Sequence, residues 1–99
     1  MSFVTTQPEM LTAAANQLQG IGTAISTQNA AAAAPTQGVV PAAADEVSAL
    51  TATQFGAHAA IYQAVSAQAA AVHDSFVQML GVSGASYAGT EAANAAATG

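Results

Sequence analysis

Apolar side chains recur along this chain at alternating steps of three and four. Leu11, Ala14, Leu18, Ile21 and Ile25 form the first such series, the spacing that lays side chains along one face of a helix. Just upstream, Thr6-Gln7-Pro8-Glu9 reads as a helix start. Thr6 takes the cap position, Glu9 completes a capping box, and Pro8 falls in the first turn, where its missing N–H costs nothing. The second series is longer: Phe55, His58, Tyr62, Val65, Ala69, Val72, Phe76 and Met79 keep a heptad seam over more than three repeats. Val47, Leu50, Ala57, Ile61, Ala64 and Gln68 occupy an adjoining face with smaller side chains.

Proline and glycine divide these series. Pro35, Gly38 and Pro41 separate the two, and Gly81, Gly84 and Gly89 follow the second. The pattern predicts an all-α hairpin occupying residues 1–80, with one helix over about 7–34, a second over about 42–80, and a flexible tail over 81–99. Asp45 and Glu46 fall in or near the first turn of the second helix, where negative charge meets the positive end of the helix dipole. That helix would be roughly 60 Å long at 1.5 Å per residue. Two apolar faces imply two neighbours. The first helix folds back antiparallel across the short link to cover one face, and the other is left for a partner. Burying a large aromatic is worth about 2–3 kcal/mol, so Phe55, Tyr62 and Phe76 need a cover. The competing arrangement places those three aromatics in the hairpin's own core.

Composition strengthens the helical reading. Alanine supplies 29 of the 99 residues, and it is the best helix former because it loses no side-chain entropy on ordering. A chain of this length buries only a modest core, and with no cysteine it has neither a disulfide framework nor a thiolate site. There is no Lys or Arg, and the acids are Glu9, Asp45, Glu46, Asp74 and Glu91. Nothing neutralises phosphate, which argues against nucleic acid as a partner and against anionic lipid. The basic start of a Sec or Tat signal is missing as well. Residues 10–44 carry no charge. Asn16, Gln17, Gln19, Gln28, Asn29 and Pro35 interrupt them, and basic flanks are lacking, so no transmembrane span is expected.

Candidate chemistry is sparse. His73-Asp74-Ser75 has the residue types of a hydrolase triad, but consecutive helical residues point about 100° apart and cannot form a relay. Neither His58 nor His73 has a second ligand three or four residues away, so no metal is expected. Gly81-Val82-Ser83-Gly84 lacks the Lys and following helix of a phosphate loop. No catalytic residue and no cofactor are expected. Thr12 and Thr23 have ice-binding spacing, but the series stops at Ala34.

Met1-Ser2-Phe3-Val4, the pair Pro8-Glu9, the joint Val40-Pro41-Ala42-Ala43-Ala44-Asp45-Glu46-Val47-Ser48 and the later Ser86-Tyr87 together resemble the PE family of mycobacteria over essentially the whole chain. The resemblance implies an antiparallel helical pair that docks lengthwise on a PPE protein, making a four-helix bundle exported by a type VII (ESX) secretion system. On that reading Leu11, Leu18, Ile25, Phe55, His58, Tyr62, Val65, Val72, Phe76 and Met79 form the partner interface. The family's export signal is a Tyr, three residues, then Asp or Glu, and Tyr87-Ala88-Gly89-Thr90-Glu91 matches it with the less common acid. A helical tail would put Tyr87 and Glu91 on one face, whereas Gly84 and Gly89 favour flexibility and ordering on binding. The Trp-x-Gly turn of related exported hairpins would come from the PPE partner, which also carries the surface for the EspG chaperone. The implied location is cytoplasmic with partner and chaperone, then secreted or cell-surface after export. A lipid- or envelope-associated amphipathic hairpin is the rival reading. Many PE proteins continue past this domain, so the chain also reads as a candidate fragment.

Overall fold

The computed structural model describes residues 6–99; the Met1-Ser2-Phe3-Val4 part of the resemblance lies outside them. The chain is an antiparallel two-helix hairpin. Helix α1 spans Pro8–Gln37 and helix α2 spans Glu46–Thr98. No strand occurs among the described residues. Packing divides the hairpin into two units: α1 up to Gly22 with His73–Gly99, and Thr23–Val72.

Each helix end departs from the predicted one for a local reason. Helix α1 begins at Pro8, so Gln7 rather than Thr6 precedes its first residue, and the Met10 N–H donates to the Gln7 carbonyl at 3.0 Å. The expected Thr6–Glu9 capping box is replaced by a long-range bond from Thr6, described below. Pro35 does not stop α1. So close to the end, a proline removes a single ladder bond, and Thr36 Oγ1 to Ala32 O (2.6 Å) and the Gly38 N–H to Ala34 O (3.0 Å) hold the last turn.

Helix α2 starts later than predicted because Asp45 is a better cap than the alanines before it. The Asp45 carboxylate accepts the Ser48 N–H at 2.7 Å and the Ser48 hydroxyl at 3.0 Å, satisfying a donor that the helix leaves open. At the other end α2 continues through Gly81, Gly84 and Gly89 to Thr98, so the expected flexible tail is helical. No glycine takes a positive φ among the described residues, and without that conformation a glycine makes no left-handed helix stop. Ala85, Ala88, Ala92 and Ala93 then favour continuation.

The side of α2 that meets α1 is neither of the two predicted apolar faces. In the Thr23–Val72 unit it is Ala52, Gly56, Ala59, Gln63 and Ala70, all buried or half-buried. In the terminal unit it is His73, Val77, Leu80 and Gly84, all buried or half-buried, with His73 against Leu18 and Gly22 of α1 and Gly84 against Leu11 and Thr12. Among the described residues the buried hydrophobic side chains are Ala15, Ala52 and Ala59. Small side chains let the two backbones approach: a Cβ on Gly56 would lie 2.9 Å from the Gln37 carbonyl oxygen. In the Thr23–Val72 unit, leucine-sized residues at this contact would hold the helices apart, and the adjoining face leaves Val47, Leu50 and Ile61 exposed.

The α1 stripe is also reassigned in part. Leu11, Ala14 and Leu18 are half-buried inside the hairpin, whereas Ile21 and Ile25 are exposed. The covered row keeps the seven-residue spacing but in another register, with Ala15, Gly22 and Asn29 in place of Ala14, Ile21 and Ile25.

Candidate partner interface and C-terminal motif

The α2 seam is exposed in each unit. Phe55, Tyr62, Val65 and Val72 keep between 51% and 71% of their surface in the Thr23–Val72 unit, and Phe76 and Met79 keep 53% and 68% in the terminal unit. The arrangement that would have put Phe55, Tyr62 and Phe76 in the hairpin's core is therefore ruled out. His58 is exposed on the same row and lines a shallow groove with Val47, Leu50, Thr51, Gln54 and Phe55. Ile25 of α1 is exposed at 53%. Leu11 and Leu18, predicted for the partner face, instead serve the hairpin's internal contact.

Polar bonds hold each unit while leaving this face open. In the Thr23–Val72 unit, Tyr62 OH donates to Asn29 Oδ1 at 2.9 Å and Gln63 Nε2 donates to the Asn29 carbonyl at 2.9 Å. Tyr62 thus ties its hydroxyl to α1 while half of its surface stays exposed. In the terminal unit His73 Nε2 lies 2.7 Å from the Leu18 carbonyl oxygen, a contact that requires the proton on Nε2, since the carbonyl only accepts. Gly22 makes this possible, because a Cβ there would sit 2.7 Å from the imidazole Cδ2 and Nε2. Sequence reading missed both contacts. The residues are 33 to 55 positions apart, and no local spacing announces them.

Other charged groups show less. The two hydrogen bonds from Ser48, backbone first, hold the exposed Asp45 carboxyl below the ordinary aspartate range. Among the described residues no three His, Asp or Glu side chains gather as a metal site. His73 turns into the hairpin while Asp74 and Ser75 are exposed, so the triad-like run is not assembled. Among the described residues no helix is long and apolar enough to cross a membrane.

The end of α2 brings two sequence motifs together. Tyr87, 49% exposed, and half-buried Glu91 stand one turn apart on α2. Thr6 Oγ1 donates to Glu91 Oε1 at 3.0 Å. Pro8 is half-buried at the first position of α1 and Glu9 is exposed in its first turn. Both line a shallow groove with Thr12, Gly84, Ala88 and Glu91.

A model of the PE family matches residues 4–94. The chain belongs to the PE family. This PE chain is 68% identical over 97 residues to PE family protein PE13 of Mycobacterium tuberculosis, with 98% of each chain covered. It is 58% identical over 97 residues to PE family protein PE8 of the same organism, covering 98% of this chain and 35% of that protein. Against the PE-PGRS family protein PE_PGRS33 of M. tuberculosis the identity is 58% over 96 residues, covering 97% of this chain and 20% of that protein. The chain thus spans nearly all of one relative and a fifth to a third of the longer two.

Proposed function

We propose that this PE protein is a non-enzymatic pairing and export module. It docks lengthwise on a PPE protein through the exposed side of α2, and a type VII (ESX) secretion system exports the pair. The observation that carries this reading is the division of α2 into two sides: the side toward α1 is covered, and the large apolar residues Phe55, Tyr62, Val65, Val72, Phe76 and Met79 are left outside. Covering the exposed half or more of each large side chain is worth about 1–2 kcal/mol, and each unit leaves its part of the row open to a helical partner. Ile25 and His58 belong to the same proposed surface. Together the two proteins would make a four-helix bundle, with Tyr87 and Glu91 as the export signal near its end.

On this reading the EspG chaperone engages the PPE protein, and Pro8-Glu9 sets the start of α1. The pair waits in the cytoplasm and reaches the cell surface or the medium after export. Co-expression with PPE proteins tests it: a stable complex with one of them, co-eluting on size exclusion, supports the reading. A chain that stays monomeric with every PPE protein, yet floats with neutral lipid vesicles, would instead favour the envelope-associated alternative.

A further inference from the structure

The Tyr87–Glu91 motif is half of a contact whose other half lies at the opposite end of the sequence. Glu91 is half-buried, and its Oε1 accepts the Thr6 hydroxyl at 3.0 Å across 85 positions. The two ends reach each other because the helices run close here. Gly84 is buried, and a Cβ on it would lie 3.0 Å from Thr12 Oγ1 and 3.3 Å from the Pro8 carbonyl oxygen. Glu91 follows Gly84 by seven residues, two helical turns, and so returns to the same side of α2, beside the residues that precede α1. Tyr87 stands one turn before Glu91 on α2, with 49% of its surface exposed.

We propose that Thr6 is a positioning residue for the Glu91 carboxylate, so that the export signal is built from both ends of the hairpin rather than from the C-terminal segment alone. The inference rests on the reading of Tyr87 and Glu91 as an export signal. A glutamate side chain on a helix surface samples several rotamers, and a hydroxyl donated to its ionised oxygen selects one of them. The bond uses one acceptor site, and a carboxylate has others to offer a donor on the receiving machinery. A surface that recognises the motif would then meet an apolar ring and a pre-oriented carboxylate together, with less ordering to do on binding.

The test uses the full chain co-expressed with its PPE partner in a secreting strain. It compares wild type, Thr6→Ser, Thr6→Val, Glu91→Gln and the Thr6→Val/Glu91→Gln double variant. Secreted and cell-associated protein are measured, along with complex formation on size exclusion. The expected result is a several-fold fall in export for Thr6→Val, near-normal export for Thr6→Ser, and no further loss from Thr6→Val once Glu91 is Gln, with the complex intact throughout. Normal export of Thr6→Val beside defective Glu91→Gln overturns the positioning role and leaves the signal standing. Normal export of Glu91→Gln overturns the signal reading and the positioning role with it. Loss of the complex in Thr6→Val also overturns the proposal, since Thr6 would then act through folding.

Discussion

Gly22 and His73 show how a single hydrogen atom in place of a methyl group sets a contact between helices. A Gly→Ala change inside a helix ordinarily gains about 0.5–1 kcal/mol. At Gly20, where an added Cβ meets nothing within 4 Å, that gain is expected in full. At Gly22 the same Cβ lands 2.7 Å from the imidazole and displaces it from the Leu18 carbonyl. Overpacking costs about 1–3 kcal/mol and outweighs the propensity gain. Urea melts should therefore show Gly20→Ala stabilising and Gly22→Ala destabilising, with Gly22→Ala turning stabilising in a His73→Ala background. A sign that does not change with His73 would contradict the contact.

Asp45 is the residue whose charge state bears on the start of α2. The hydrogen bonds from Ser48 lower its pKa in the folded chain, so its contribution is fully present above the unfolded value of about 3.9. It is lost as pH falls through the lower folded value. Circular dichroism melts of wild type and Asp45→Ala are expected to differ near neutral pH and to converge below that range. A gap that persists in acid would mean that the carboxylate's charge is not what holds the cap.

At the level of elements, the two helices and the exposed seam were legible because large apolar residues at steps of three and four stand out against alanine. The covered face was not. Ala52, Gly56, Ala59 and Gln63 carry the contact with α1, and such a row has no hydrophobic contrast with its surroundings. Helix ends were misplaced where a tertiary contact or a cap outweighed propensity: Asp45 holds back the start of α2, and the packing of Gly84 against Thr12 and Pro8 removes the stop expected at Gly81. The small-residue contact predicts a contrast in stability. Ala59, 8% exposed, should not tolerate leucine, and Ala59→Leu is expected to cost about 1–3 kcal/mol. Phe76→Ser, at a site 53% exposed, should move the melt of the unpartnered chain by about 0.5 kcal/mol or less. Equal losses from the two would mean that the hairpin rests on the large seam after all.

For the whole molecule, the family match and the open seam are the two observations behind the proposed pairing. The C-terminal motif could be read as a Tyr and a Glu four residues apart, but its tie to Thr6 joins positions that no sequence pattern relates. Leu11 and Leu18 show the reverse case, since their spacing suggested an outward stripe and the fold uses them inside. On the proposed reading α2 keeps its large apolar residues for a PPE partner, and the direct measurement is the solution mass of the co-purified pair by size exclusion with light scattering. The wild-type chain is expected to elute as a one-to-one complex. The Phe55→Ser/Phe76→Ser double variant is expected to elute alone with its helical circular dichroism unchanged. A double variant that still forms the full complex would contradict the claim.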